Sequence, residues 1–398
     1  MQRIKQHKEK IMNWLLIMIG VSLPFPDYSL VSKALLASLF FWLFFYNSWQ
    51  EKKQLLNANK KVLMSVTSLF LLFVFGITYT DNLQAIPKET TLKIVFLVVP
   101  LMIFSIQINR QIFETIYKYF SYSVALNSAS AFVKVLIFKH FHLGNYLVYH
   151  DLSLFIEKHT TYYAMLVVLS ALYFIWQILV SKNRRITNIL LFIFSVFTLY
   201  MISNRISIVA MAVSSILLII SKLNKTKSLL YIFISIGFSV LILNLPNYKK
   251  RFNPDYLQNT NEVSLRKILW QSVLETAKHN NIIFGTGSES KRDFLYQKYL
   301  ENGLKIAYVE KYNAHNQYLE YLLDFGLVGV LLLLILLGSM TIFFYKKTDF
   351  LALGILSVFV VFMLTESILE RQTGIITFTF FISILLRINL SSNKRIKD

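Results

Sequence analysis

Residues 189–220 read ILLFIFSVFTLYMISNRISIVAMAVSSILLII, and only Ser203-Asn204-Arg205 breaks the apolar run. A helix needs roughly 20 apolar residues to cross the hydrocarbon of a bilayer. The stretch therefore reads as two membrane spans joined by a short polar turn. Similar runs recur at about 11–23, 28–46, 62–79, 91–108, 112–139, 159–180, 228–245, 318–345, 350–366 and 374–390. With 187–202 and 206–221 they predict an all-α polytopic membrane protein of about 12 transmembrane helices.

Composition points the same way. Of 398 residues, 55% are hydrophobic and 16% charged, whereas soluble domains run near a quarter charged. A soluble enzyme, a disordered chain and a disulfide-stapled secreted domain are excluded. Without cysteine there are no thiolate metal sites, Cys nucleophiles or disulfides. The formal net charge of +20 is spread over the connections, at Lys52/Lys53/Lys60/Lys61, Lys182/Arg184/Arg185, Lys222/Lys225/Lys227, Lys346/Lys347 and Lys394/Arg395/Lys397. That distribution follows the positive-inside rule and puts both termini in the cytoplasm. It implies membrane lipids as partners, and no nucleic acid. No cleavage site follows 11–23, where Pro24-Phe25-Pro26-Asp27 makes a turn instead.

The same threading places His140–Lys158 and Pro246–Asn313 on the opposite side. The chain divides into 1–245 (spans one to nine), 246–313 (a periplasmic loop subdomain with short helices) and 314–398 (spans ten to twelve with a cytoplasmic tail). Within the loop, Glu262–His279 has helical periodicity, Phe284-Gly285-Thr286-Gly287-Ser288 reads as a turn, and 291–302 as a second helix.

Three segments at this boundary carry the chemistry-bearing residues. Ser203 or Asn204 can cap the helix that follows, leaving Arg205 beside its positive end in a place suited to phosphate oxygens. Arg205 reads equally as an interfacial arginine snorkelling to water. His315, in Asn313-Ala314-His315-Asn316-Gln317-Tyr318-Leu319-Glu320, is a candidate general base, its ordinary pKa lying near neutrality. The bland alternative is a structural hydrogen-bonder. Tyr318 would share its face if the helix has begun by then. Glu366 and Glu370, four apart and followed by Arg371 and Gln372, are either functional ionisable groups or solvated loop charges. No Asp-x-Asp pair and no Walker-type glycine loop occurs, and no histidines have metal-ligand spacing. No metal and no cofactor is expected. Gly285 and Gly287 alone are a weak phosphate signal.

The ordered set resembles the O-antigen ligase and polymerase superfamily of bacterial membrane glycosyltransferases. The matching pieces are Ser203-Asn204-Arg205, Leu265-Arg266-Lys267-Ile268-Leu269-Trp270 ahead of Phe284-Gly285-Thr286-Gly287, His315-Asn316-Gln317-Tyr318-Leu319-Glu320 before Gly326-Leu327-Val328-Gly329, and Leu364-Thr365-Glu366 through Arg371-Gln372. They cover the C-terminal half in the family's order; the N-terminal half matches only in hydropathy. The resemblance implies a GT-C-like enzyme at the periplasmic face of the inner membrane. It would move a glycan from undecaprenyl diphosphate to the lipid A-core acceptor without metal, inverting the anomeric centre. Arg205 and Arg266 would hold the donor diphosphate and His315 would deprotonate the acceptor. Asn316, Tyr318, Glu366 and Arg371 would support them.

Within the same class stand the polymerase that extends the repeat unit and a ligase acting on protein. From another class stands a lipid-linked oligosaccharide flippase. A flippase would spread ionisable residues through its spans to line a cavity, whereas here they gather at one face beside a large outer loop.

Overall fold

The structure is a computed structural model that describes residues 2–25, 28–141, 150–181, 184–222, 237, 262–290 and 292–391. Among the described residues every regular element is helical. In chain order these are α1 (Gln2–Ser22), α2 (Tyr28–Phe44), α3 (Trp49–Ala58), α4 (Lys60–Ile77), α5 (Ile86–Lys93), α6 (Val95–Phe104), α7 (Arg110–Phe141), α8 (His150–Ile156) and α9 (Thr160–Val180). Then come α10 (Arg185–Ile202), α11 (Arg205–Lys222), α12 (Glu262–His279), α13 (Arg292–Glu301), α14 (Lys305–Val309), α15 (Gln317–Lys346), α16 (Phe350–Met363) and α17 (Gln372–Ser391).

Seven of them, α4, α7, α9, α10, α11, α15 and α17, are long and apolar enough to cross a membrane. Counting α2 and α3, bent by 109°, as one broken span makes eight. Four expected spans remain. The run at 11–23 forms the second half of α1, whose first half carries Arg3, Lys5, Lys8, Glu9 and Lys10. The run at 91–108 divides at Ile94 into α5 and α6, and α6 carries Pro100 inside, where the missing N–H costs a helical hydrogen bond. The run at 350–366 stops at Met363, because the chain turns there toward Glu366. Apart from residue 237, the stretch at 228–245 lies outside the described residues, as do Lys182, Lys225, Lys227 and the C-terminal basic cluster.

Among the seven long apolar helices, the most enclosed are α9 and α17. Around them α11 packs on α16, α10 on α9, α1 on α2 and α7, and α17 on α6. One continuous apolar core runs through the bundle. A second, smaller one joins α12, α13 and α14 through Leu269, Val273, Leu295, Tyr299, Leu304 and Ala307 to Ala314 and Leu323 of the bundle.

Helix direction sorts the connections into two ends. The N-termini of α9, α11, α15 and α17 and the C-termini of α4 and α16 meet at one end, together with α12–α14. At the other end lie the starts of α1 and α7, the α15–α16 turn and the last turns of α17. The described members of the basic clusters fall at this second end.

The glycine turn finds its purpose here. Gly326 breaks α15 (φ 62°, ψ −159°) and frees carbonyls of the turn before it. The N–H groups of Thr286 and Gly287 donate to Leu323 O and Asp324 O at 2.9 Å. Leu327 and Val328 donate in turn to Ile282 O and Ile283 O at 2.9 and 3.1 Å. A Cβ on Gly285 would meet the Asp324 carbonyl at 2.5 Å, and one on Gly326 would meet that of Ile283 at 2.3 Å. These amides of the Gly285-Thr286-Gly287 turn are committed to α15, so the loop is a helix-break clamp and not a phosphate cradle.

Candidate active site

His315 sits in a turn just outside the membrane helix. Its backbone is left-handed (φ 45°), which costs a non-glycine residue roughly 1–3 kcal/mol. Two neighbours impose it. Asn313 Oδ1 accepts the His315 N–H at 3.1 Å. Asn316 is the N-cap of α15, its Oδ1 accepting from the N–H groups of Tyr318 and Leu319. The helix therefore begins after His315, and Tyr318 does not share a helix face with it as the three-residue spacing suggested. Asn316 Nδ2 also donates to Leu364 O at 3.0 Å, lashing the start of α15 to the end of α16.

That lashing brings Glu366 to His315. The imidazole Nδ1 lies 3.3 Å from Glu366 Oε1 and 3.4 Å from Oε2. The carboxylate is 4% exposed and the imidazole 26%, so one partner is held in the protein while the other meets solvent. Burial pushes the Glu366 carboxyl up, but the hydrogen bond and charge of His315, with His159 and Arg266, outweigh it and hold it below its ordinary value. Glu366 and Glu370 do not lie on one helix as their spacing allowed. A turn and a single 3-10 turn, Ile368–Glu370, separate them. Glu370 instead accepts from Gln317 Nε2 at 2.9 Å and pairs with Lys93.

The two arginines reach this end by different routes. Ser203, left-handed at φ 54°, ends α10. Asn204 then caps α11, accepting the Ser207 N–H at 3.2 Å and donating to Thr161 Oγ1 at 3.2 Å. Next to Thr161, the Tyr162 hydroxyl donates to Ser367 O at 3.1 Å, one residue from Glu366. Arg205 follows Asn204 directly and is half-buried. Arg266, half-buried on α12, acts on Glu366 through its charge. Trp270, one turn on, donates Nε1–H to Ala314 O at 3.1 Å and docks α12 on the His315 turn. Tyr318 is half-buried and Arg371 exposed; among the described residues neither hydrogen-bonds to His315 or Glu366.

A buried charge network lies behind the dyad, and the sequence reading did not single it out. Arg292 of α13 enters the bundle, 2.6 Å from Glu320 and 2.8 Å from Asp324, with Glu289 at 3.4 Å. Burial works against the charged guanidinium, but Asp324, Glu320 and Glu289 outweigh it and keep Arg292 protonated. Gln317 accepts from the Leu369 N–H at 2.6 Å. A signal existed: Glu320 and Asp324 are carboxylates four apart in an otherwise apolar span, and Lys93 lies within another.

The arrangement offers a half-exposed imidazole backed by a buried carboxylate, with guanidinium groups at the same end. Such a group can take a proton from a hydroxyl. No curated protein matches the chain. A family model described as O-antigen ligase matches residues 190–334, a span that includes Arg205, Arg266 and His315 and stops short of Glu366. That match, over residues 190–334, supports membership of the O-antigen ligase and polymerase superfamily, a glycosyltransferase-like family.

Proposed function

We propose that the protein is an O-antigen ligase that transfers a glycan from undecaprenyl diphosphate to lipid A-core at the periplasmic face of the inner membrane. The observation that carries the reading is the His315–Glu366 contact, at the bundle end opposite the described basic connections. Under the positive-inside rule those connections are cytoplasmic, so His315 faces the periplasm.

With Nδ1–H donated to Glu366, the lone pair of His315 Nε2 is free to accept the acceptor's hydroxyl proton. The hydroxyl oxygen attacks the anomeric carbon as the bond to the diphosphate breaks, and the electron pair leaves on phosphate oxygen. Arg205 and Arg266 stabilise that growing negative charge. A single displacement inverts the anomeric centre. Glu366 steadies the imidazolium once it forms. Arginines serve where other transferases use a metal ion, so transfer should persist in excess EDTA.

The test is the lipopolysaccharide profile of a deletion strain complemented with wild type or His315→Ala. Loss of all capped core, with lipid-linked polymer accumulating, supports the ligase. Core bearing a single repeat assigns the protein to the polymerases of the superfamily instead. An unaltered profile in the deletion strain overturns both.

A further inference from the structure

Glu320 is 1% exposed, and its carboxylate reaches both halves of the dyad. Oε2 accepts the Ala314 N–H at 2.9 Å, and Ala314 is the residue before His315. The same oxygen accepts the Ser367 hydroxyl at 3.1 Å, and Ser367 is the residue after Glu366. Oε1 lies 2.6 Å from Arg292, which is locked in turn by Asp324 and Glu289. Trp270 holds the other side of the Ala314 peptide by its carbonyl. The two turns that present His315 and Glu366 come from sequence positions 51 apart, and one oxygen atom binds both.

We infer that Glu320 is a positioning residue that sets the His315–Glu366 separation and couples it, through Arg292, to the docking of α13. The inference rests on His315 being the general base. A buried carboxylate with two hydrogen bonds and an ion pair is stiff, because every alternative leaves a charge without partners in a medium of low dielectric. A shift of about 1 Å at a reacting group can cost on the order of 100-fold in rate. Glu320 touches no reacting atom, so its whole effect must pass through the dyad.

The experiment uses the full-length protein in nanodiscs, with undecaprenyl-diphosphate-linked oligosaccharide as donor, lipid A-core as acceptor and undecaprenyl diphosphate as the binding probe. Glu320→Gln removes the charge held by Arg292, while Ser367→Ala removes one arm of the clamp and leaves the Arg292 pair intact. Both should lower kcat per folded molecule by roughly 10–100-fold, with KM for donor and affinity for undecaprenyl diphosphate unchanged. In a His315→Ala background, adding Ser367→Ala should cost nothing more, since residues acting as one unit are non-additive. Normal kcat in Ser367→Ala, with His315→Ala inactive, overturns the positioning role alone. So does a full Ser367→Ala penalty that persists in the His315→Ala background. Normal transfer by His315→Ala would instead overturn the base on which the inference rests. Should Glu320→Gln fail to fold, the Ser367→Ala cycle decides the matter by itself.

Discussion

The two ends of the bundle carry buried charge in quite different ways. At the end away from His315, charge closes on the chain itself. Asp349 accepts from Arg110 at 2.6 Å and Asn389 at 2.8 Å, and its other oxygen caps α16 through the Ala352 N–H. Lys52 is spent on the carbonyls of Trp42 and Leu43, and Arg387 donates to Ile106 O. At the His315 end, Arg292 and Lys93 bind the buried carboxylates, while His315, Arg205 and Arg266 stay part-exposed. Buried polarity by itself therefore marks architecture. A part-exposed imidazole, which unlike the Arg110 guanidinium over Asp349 can gain and lose a proton near neutral pH, marks chemistry when a buried carboxylate backs it.

The sharpest way to break that contrast is to remove one residue from each end. His315→Ala should lower the transfer rate by roughly 10²–10⁴-fold and shift the thermal midpoint little, since the side chain fills no core and Glu366, losing its partner, can take up a proton. Asp349→Ala should do the reverse. It strips α16 of its cap and leaves Arg110, which keeps Glu114, and Asn389 without their shared acceptor, at a cost of about 2 kcal/mol, while transfer per folded molecule stays normal. Thermal unfolding and single-turnover transfer on the same preparations check both. A catalytic loss in Asp349→Ala, or an unfolding loss in His315→Ala, would erase the distinction.

A smaller effect separates roles within the His315 end. Arg205→Lys and Arg266→Lys keep the charge but lose the planar fork that can grip two phosphate oxygens at once. Affinity for undecaprenyl diphosphate should fall roughly tenfold in each, the worth of one charge-assisted hydrogen bond. Unchanged affinity in both variants would remove the diphosphate clamp and leave only the dyad.

Hydropathy made the fold legible because each lipid-facing span must be apolar along its length. The same logic blurs where a span is interrupted, as at Pro100 or Met363, since a broken helix and a whole one have nearly the same composition. The candidate site was legible as three segments, because Asn204, His315 and Glu366 are polar residues set against apolar runs. Their geometry was not. Helical spacing suggested that His315 would pair with Tyr318 and Glu366 with Glu370, whereas both pairings fail because the helices start or stop one or two residues away. The contact that forms instead spans 51 positions, and local periodicity carries no information about it. Arg292 was hidden for a related reason: a charged residue in a loop looks solvated until its carboxylate partners are known.

The smallest expected effect concerns Glu89, on the short helix α5 beside the Lys93–Glu370 pair. Burial pushes its carboxyl up to about 7; Lys93 pulls the other way, and Glu370 and Glu289 add to the rise. The sign follows from the raised value. Below the ordinary carboxyl range both folded and unfolded chains hold the proton, and Glu89 costs nothing. As pH climbs from about 4.5 through about 7, the unfolded chain releases its proton more readily than the folded one, and stability falls with it. Above that window the penalty is constant. Glu89→Gln removes the penalty, so its thermal midpoint should exceed that of wild type at pH 8 by about 2–4 °C. The gap should close on titration to pH 5. The His315 end would then gain stability by losing a charge, whereas the Asp349 end loses it. A midpoint for Glu89→Gln that tracks wild type from pH 5 to pH 8 would mean that Lys93 neutralises two carboxylates at once, and that difference between the ends would disappear.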